Sequence, residues 1–202
     1  MDIDPKDLLS QAETARTERE ARSARLNAAV AVTIALLATF MGICKVKDDN
    51  IVQAMQQAQA DKLDHWNFYQ ARNIRQEIAE ATLTQLELSR PAATAAAAPA
   101  HDAAIAKYRK LAEDQSRKKA DLKLQAEQDQ VNYDKLNYRD DQFDLSDALI
   151  AIAISLLAVT ALTRLWLLYW ISLLPTATGL LMGIAGLTGW DFHPTALVQL
   201  LS

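Results

Sequence analysis

The sequence predicts an all-α protein: three transmembrane helices, with a long antiparallel, coiled-coil-like helical hairpin inserted between the first and second spans. Three observations carry this reading. The 202-residue chain contains three long stretches free of formal charge, 26–44, 148–163 and 165–190. The block between the first two holds most of the charge yet contains no glycine. The chain as a whole has only five glycines and five prolines, too few for the many turns of a sandwich or barrel.

The first stretch, LNAAVAVTIALLATFMGIC, is nineteen residues long, close to the ~20 needed to cross the hydrocarbon of a bilayer as a helix. A lone strand there would leave its backbone groups unpaired in lipid. Its long leader carries acid as well as base, and no small-x-small site follows, which predicts a retained anchor at 26–44 rather than a cleaved signal. The later stretches predict two further spans, 145–164 and 168–189, joined by a tight turn near Arg164–Trp170. Arg164, Trp166, Tyr169 and Trp170 then form an aromatic-plus-basic membrane-interface anchor, and Arg25 anchors the start of the first span. Asp147 and Arg164 can snorkel from the ends of the second span. Arg16, Arg19, Arg22 and Arg25 precede span one, and Arg164 sits between spans two and three. The positive-inside rule places both on the cytoplasmic side, with residues 1–25 as a cytoplasmic helix and the middle block outside.

In that block, 45–144, the only prolines are Pro91 and Pro99. Proline inside a helix removes a hydrogen bond and clashes with the preceding turn, so an Ala/Pro-rich tip is expected at 91–100. Helix formers flank it, giving arms of about 50–89 and 102–143, each ~60 Å long at the α-helical rise. In the second arm Ile105, Tyr108, Ala112, Leu122, Ala126, Tyr133, Leu136 and Phe143 recur at three- and four-residue steps, interrupted by Gln115, Lys119, Asp129 and Asp140. In the first, Leu63, Trp66, Gln70, Ile74, Ile78, Ala81 and Leu88 form the corresponding seam. Asp4, Pro5 and Asp7 predict a helix start, and Pro194 predicts a short helix or tail over 190–202.

Signals for chemistry are sparse. Asp61 and His65 lie four apart with Asp64 adjacent, but a zinc site needs three or four protein ligands. No phosphate-binding glycine loop, nucleophile elbow or paired-cysteine motif is present. The reading is therefore non-enzymatic, with no catalytic residue, cofactor or metal. The net charge of -4 gives no reason to bind nucleic acid. Gly179, Gly183 and Gly186 make a small-residue face suited to close helix packing in a membrane. Trp66, Phe68 and Tyr69 cannot all face one seam; with Arg72 and Arg75 they are candidate interface residues.

Lys47-Asp48-Asp49-Asn50-Ile51, the cluster Trp66 to Arg75, and Leu162-Thr163-Arg164-Leu165-Trp166 resemble a bacterial family known as domain of unknown function 4337. The resemblance implies a multi-pass inner-membrane protein of a Gram-negative bacterium and brings no activity or catalytic residue. The functional expectation is a scaffold embedded in the lipid bilayer. It homo-oligomerises and projects its hairpin into the periplasm to organise or contact an envelope complex, another envelope protein serving as partner. The alternative is a channel or transporter subunit with an oligomeric pore lined by Thr160, Thr163, Thr176 and Thr178.

Overall fold

A computed structural model describes residues 5–190 of the chain. The expected capping role of Asp4 and the helix or tail expected after Trp190 lie outside the described residues. All regular structure among those residues is helical: α1, Pro5–Ser89; a 3-10 turn, Arg90–Ala92; α2, Ala98–Thr163; and α3, Trp166–Thr188. Helices of 85 and 66 residues are long for a chain of this size. They contain no interior glycine except Gly42 and, beyond the first turn, no proline.

The interruption between α1 and α2 follows its prolines. Pro91 is the second residue of the 3-10 turn, where its missing N–H costs nothing. Pro99 falls in the first turn of α2 rather than in the break, since a proline fits wherever the N–H would have no partner. The α2–α3 turn is tighter than the seven residues expected for it. Only Arg164 and Leu165 lie between the helices, and α3 begins at Trp166, two residues before the expected span.

The chain divides into two compact units, one drawn from Met1–Ile51 and Tyr138–Ser202, the other comprising Val52–Asn137. The core of the first unit consists of Leu26, Val30 and Leu37 of α1 against Ile150, Ala153 and Leu157 of α2. The buried line of α1 continues through Cys44, Asp48 and Ile51. That of α2 runs Phe143, Ser146, Ile150, Ala153, Leu157 and Thr160, in steps of three and four. This spacing keeps one side of a helix facing its neighbour over several turns. On α3 the buried residues are small except for Met182: Ser172, Thr176, Gly179, Gly183, Ala185 and Gly186.

Within the second unit α1 and α2 are joined by polar side chains whose numbers run in opposite directions. Lys62 bonds Gln130, and His65 Nδ1 lies 2.6 Å from Asp129 Oδ2. Arg72 donates to Gln115 at 3.1 Å, Lys119 to Asn73 at 2.9 Å and Arg109 to Glu87 at 2.8 Å. Arg90 makes two bonds to Asp102 at 2.5 and 2.9 Å.

These pairs correct the expected seam of the first arm. Leu63, Ile74, Ile78 and Leu88 are 57%, 57%, 59% and 77% exposed, and Gln70 and Ala81 also face outward. The inward side is instead Met55, Ala58, His65, Tyr69, Arg72, Gln76 and Ala79. The physical reason is distance. Alanines permit close approach, and long polar side chains reach across beside them, whereas Leu and Ile at those positions would hold the helices apart. On the second arm Ala112, Gln115 and Ala126 are buried, and Tyr108, Lys119, Leu122, Asp129 and Tyr133 half-buried, so the stripe read there does face inward.

Candidate functional site

Two features of the first unit concentrate its chemistry: a glycine seam and an acidic cluster. The seam lies where α3 crosses its neighbours. A methyl group added at Gly183 would sit 2.6 Å from Phe40 Cε1 and 2.8 Å from Ser146 Oγ. At Gly179 it would meet Ile150 Cγ1 at 2.9 Å, and at Gly186 the Phe143 ring at 2.9 Å. Only hydrogen fits between these helices. Close approach also lets Ser146 Oγ donate to the Gly179 carbonyl at 2.8 Å and Arg139 Nη2 to the Gly186 carbonyl at 2.8 Å.

The acidic cluster is a site that the sequence reading missed. Asp48 of α1 is only 4% exposed and falls on the buried line between Cys44 and Ile51. That three- and four-residue spacing is the signal that could have found it. Lys45 Nζ donates to Asp48 Oδ2 at 2.7 Å and lies 3.4 Å from Asp49 Oδ1. The bond to Asp48 is the main reason the ammonium holds its proton more tightly than usual. Asp48 Oδ1 is buried with no hydrogen-bond partner among the described residues.

Asp140 of α2 faces the same carboxylate. Burial, then a hydrogen bond to Asp48, then the negative charges of Asp144, Asp48 and Asp141 push its carboxyl up to about 7. Asp144 is raised for the same leading reason, burial, with Asp48 adding to it and Lys45 opposing. A carboxyl so placed can hold a proton near neutrality and share it with Asp48, whose Oδ2 already accepts from Lys45.

The structure distributes the sequence-selected residues as follows. Trp66 and Tyr69 are half-buried, with ring centroids 5.3 Å apart at 78°. Lys119 Nζ stands 5.9 Å from the Tyr69 ring centre. Phe68 is 58% exposed, and Arg75 is exposed, whereas Arg72 is occupied by Gln115. His65 is occupied by Asp129, and no group of three or more metal-ligating side chains occurs among the described residues. Trp166, Tyr169 and Trp170 stack edge to face with centroids 5.8 and 5.9 Å apart, and Tyr169 Oη lies 3.2 Å from Thr33 Oγ1. Arg25 and Arg164 are exposed.

An all-helical protein emerges whose three helices are each long and apolar enough to cross a membrane. The family described as "domain of unknown function (DUF4337)" matches residues 26–189, and the chain belongs to that family. No curated protein and no solved structure matches the chain.

Proposed function

We propose that the chain is a non-enzymatic scaffold of the bacterial inner membrane. Its helices cross the bilayer at 26–44, 145–164 and 168–189, and Val52–Asn137 forms a helical hairpin in the periplasm. Copies associate through the hairpins, and the assembly organises or contacts an envelope complex. The observation that carries this reading is outward-facing apolar surface of two kinds. Only 17%, 33% and 28% of the apolar windows of α1, α2 and α3 are buried, and Leu36, Leu162 and Leu174 are 67%, 84% and 73% exposed. Lipid covers such surface at no cost, whereas water does not. In the second unit Leu63, Phe68, Ile74, Ile78 and Leu88 are likewise exposed, but among charged neighbours. Apolar patches of that kind mark protein contacts.

The channel reading has thinner support. Thr160 and Thr176 are buried, and their hydroxyls donate to the carbonyls of Leu156 and Ser172 in their own helices at 2.7 and 2.8 Å. Thr163 and Thr178 do the same at 2.9 and 3.0 Å. Hydroxyls committed in this way offer little to a permeating ion.

Mass measurement of the detergent-extracted chain, corrected for bound detergent, tests the scaffold. Several subunits are expected; a monomer across a wide concentration range overturns it. Solute flux through liposomes carrying the purified protein would favour the channel.

A further inference from the structure

A cleft of about 720 Å³ in the first unit lies where α1 passes the α2–α3 turn, and it is lined by Arg16, Arg19, Arg22, Arg164, Leu165 and Trp166. Its one acid, Glu20, is engaged by Arg16 at 3.1 Å. Among the described residues, no carboxylate lies within ion-pair distance of Arg19, Arg22 or Arg164. Three guanidinium groups therefore converge without a counter-anion. Arg19 and Arg22 are three apart on one side of α1, so both reach the same space.

The turn adds to this field. Arg164 occupies the left-handed region at φ 56°, and its N–H donates to the Thr160 carbonyl at 2.8 Å. This is the helix-ending position that glycine normally takes; an arginine there brings its charge to the cleft at the expense of backbone strain. Leu165 then enters α3 in an extended conformation with no side-chain cap. The Leu168 N–H is held by the Leu165 carbonyl at 3.1 Å, but the Trp166 and Leu167 N–H groups at the start of this 23-residue helix have no side-chain capping acceptor. Arginine forks and uncapped helix N–H groups are both donors to tetrahedral oxyanions.

We propose that this cleft binds a phosphate group that carries no counter-cation of its own, presented by the headgroup of an anionic lipid or by a soluble phosphate. Leu165 and Trp166, at the start of a span, would meet the acyl boundary of a lipid, as basic pockets between membrane helices do. The choice of the lipid source rests on the membrane-spanning reading above; the phosphate chemistry does not.

The experiment uses the full chain in an uncharged detergent. A chain that stays monodisperse once the detergent is removed defeats the membrane-spanning reading alone, and the phosphate arm is then read in buffer. In detergent, the thermal midpoint is compared with micelles containing phosphatidylglycerol, micelles containing phosphatidylcholine, and inorganic phosphate at constant ionic strength. Phosphatidylglycerol should raise the wild-type midpoint more than phosphatidylcholine does. Arg19→Gln/Arg22→Gln and Arg164→Gln should each lose at least half of that rise. Lys47→Gln/Lys110→Gln, which removes as much charge as the arginine pair from residues that do not line the cleft, should retain it. A rise with inorganic phosphate that the same arginine variants abolish assigns a soluble source. No rise with either probe, or equal rises in the arginine and lysine variants, overturns the proposal.

Discussion

The two units solve helix pairing in opposite ways. In the first, the seam is apolar and large on α1 and α2, with Leu26, Leu37, Ile150 and Leu157 between 0% and 3% exposed, and small on α3. In the second, four of the five buried apolar residues are alanines: Ala58, Ala79, Ala112 and Ala126, the fifth being Met55. Around them the contact is a ladder of amides and ion pairs, while Leu63, Ile74, Ile78 and Leu88 of the first arm point away. An alanine methyl contributes only ~0.8 kcal/mol when buried, so the second unit gains little from its own seam. A pair of helices held this way is positioned more than stabilised, and its unused apolar surface is available to something else. The first unit, by contrast, buries large aliphatics in its own seam, and the large apolar residues it leaves outward, such as Leu36, Leu162 and Leu174, lie on helices apolar enough to cross a membrane.

The largest effect should come from the glycine seam. Gly183→Leu places a side chain where even one methyl would lie 2.6 Å from Phe40, and Phe40 is itself packed on the core. Overpacking of this kind costs about 3 kcal/mol. The thermal midpoint in detergent should fall, with circular dichroism showing helix retained in Val52–Asn137. An unchanged midpoint would mean that α3 does not pack on α1 and α2 as described.

Next is the outward face of the second unit. Leu63→Glu/Ile74→Glu changes two exposed positions, so stability should move by no more than about 0.5 kcal/mol. The mass of the assembly should nevertheless drop towards that of one subunit if copies associate there. A mass that holds constant would shift the association to the membrane spans.

How much of this was legible in the sequence depends on the physical signal. Absence of charge marked the apolar helices well, because a bilayer-length run of uncharged residues has few other uses. Proline placed the break between α1 and α2 within a few residues. Hydrophobicity misled on the first arm, because helix separation rather than apolarity chooses the pairing face there: alanine and polar reach won over leucine and isoleucine. By charge alone Asp48 belongs to a polar flank; its four- and three-residue spacing from Cys44 and Ile51 places it on the buried side only once those two are known to face inward. The conformation of Arg164 had no sequence signal, since glycine or asparagine is the usual occupant of that position. The arginines of the cleft inform orientation as a count of charge, but their convergence exists only once the α2–α3 turn stands beside α1.

The polar ladder should respond on a smaller scale. His65→Leu leaves Asp129, whose side chain is 17% exposed, without its 2.6 Å partner. The expected loss is about 1–2 kcal/mol, from an acceptor left desolvated and unpaired. Replacing both, His65→Leu/Asp129→Leu, should recover most of that loss, because two apolar groups leave nothing unsatisfied. A double variant no better than the single would show that the ladder stabilises the second unit beyond positioning it.

The smallest effect expected is the pH response of the first unit, which separates the units because the raised carboxyls of the acidic cluster, Asp140 and Asp144, both lie in it. Asp140 ionises at about 7 when folded and at about 3.9 when unfolded. Between those values the folded chain binds more protons than the unfolded one, so stability must fall as pH rises through that interval and level off above it. Asp144, raised for the same leading reason, adds to the slope in the same direction. Solvent around the cluster screens the effect, so a shallow decline in thermal midpoint from pH 5 to pH 8 is expected for the wild type. Asp140→Asn should flatten much of it and raise the midpoint at the alkaline end, since the amide keeps a donor for Asp48 without the charge. Asp48→Asn should flatten it too, by removing the carboxylate that holds the proton in place. A decline of equal slope in both variants would locate the pH response elsewhere and leave the two units distinguished only by what their seams are made of.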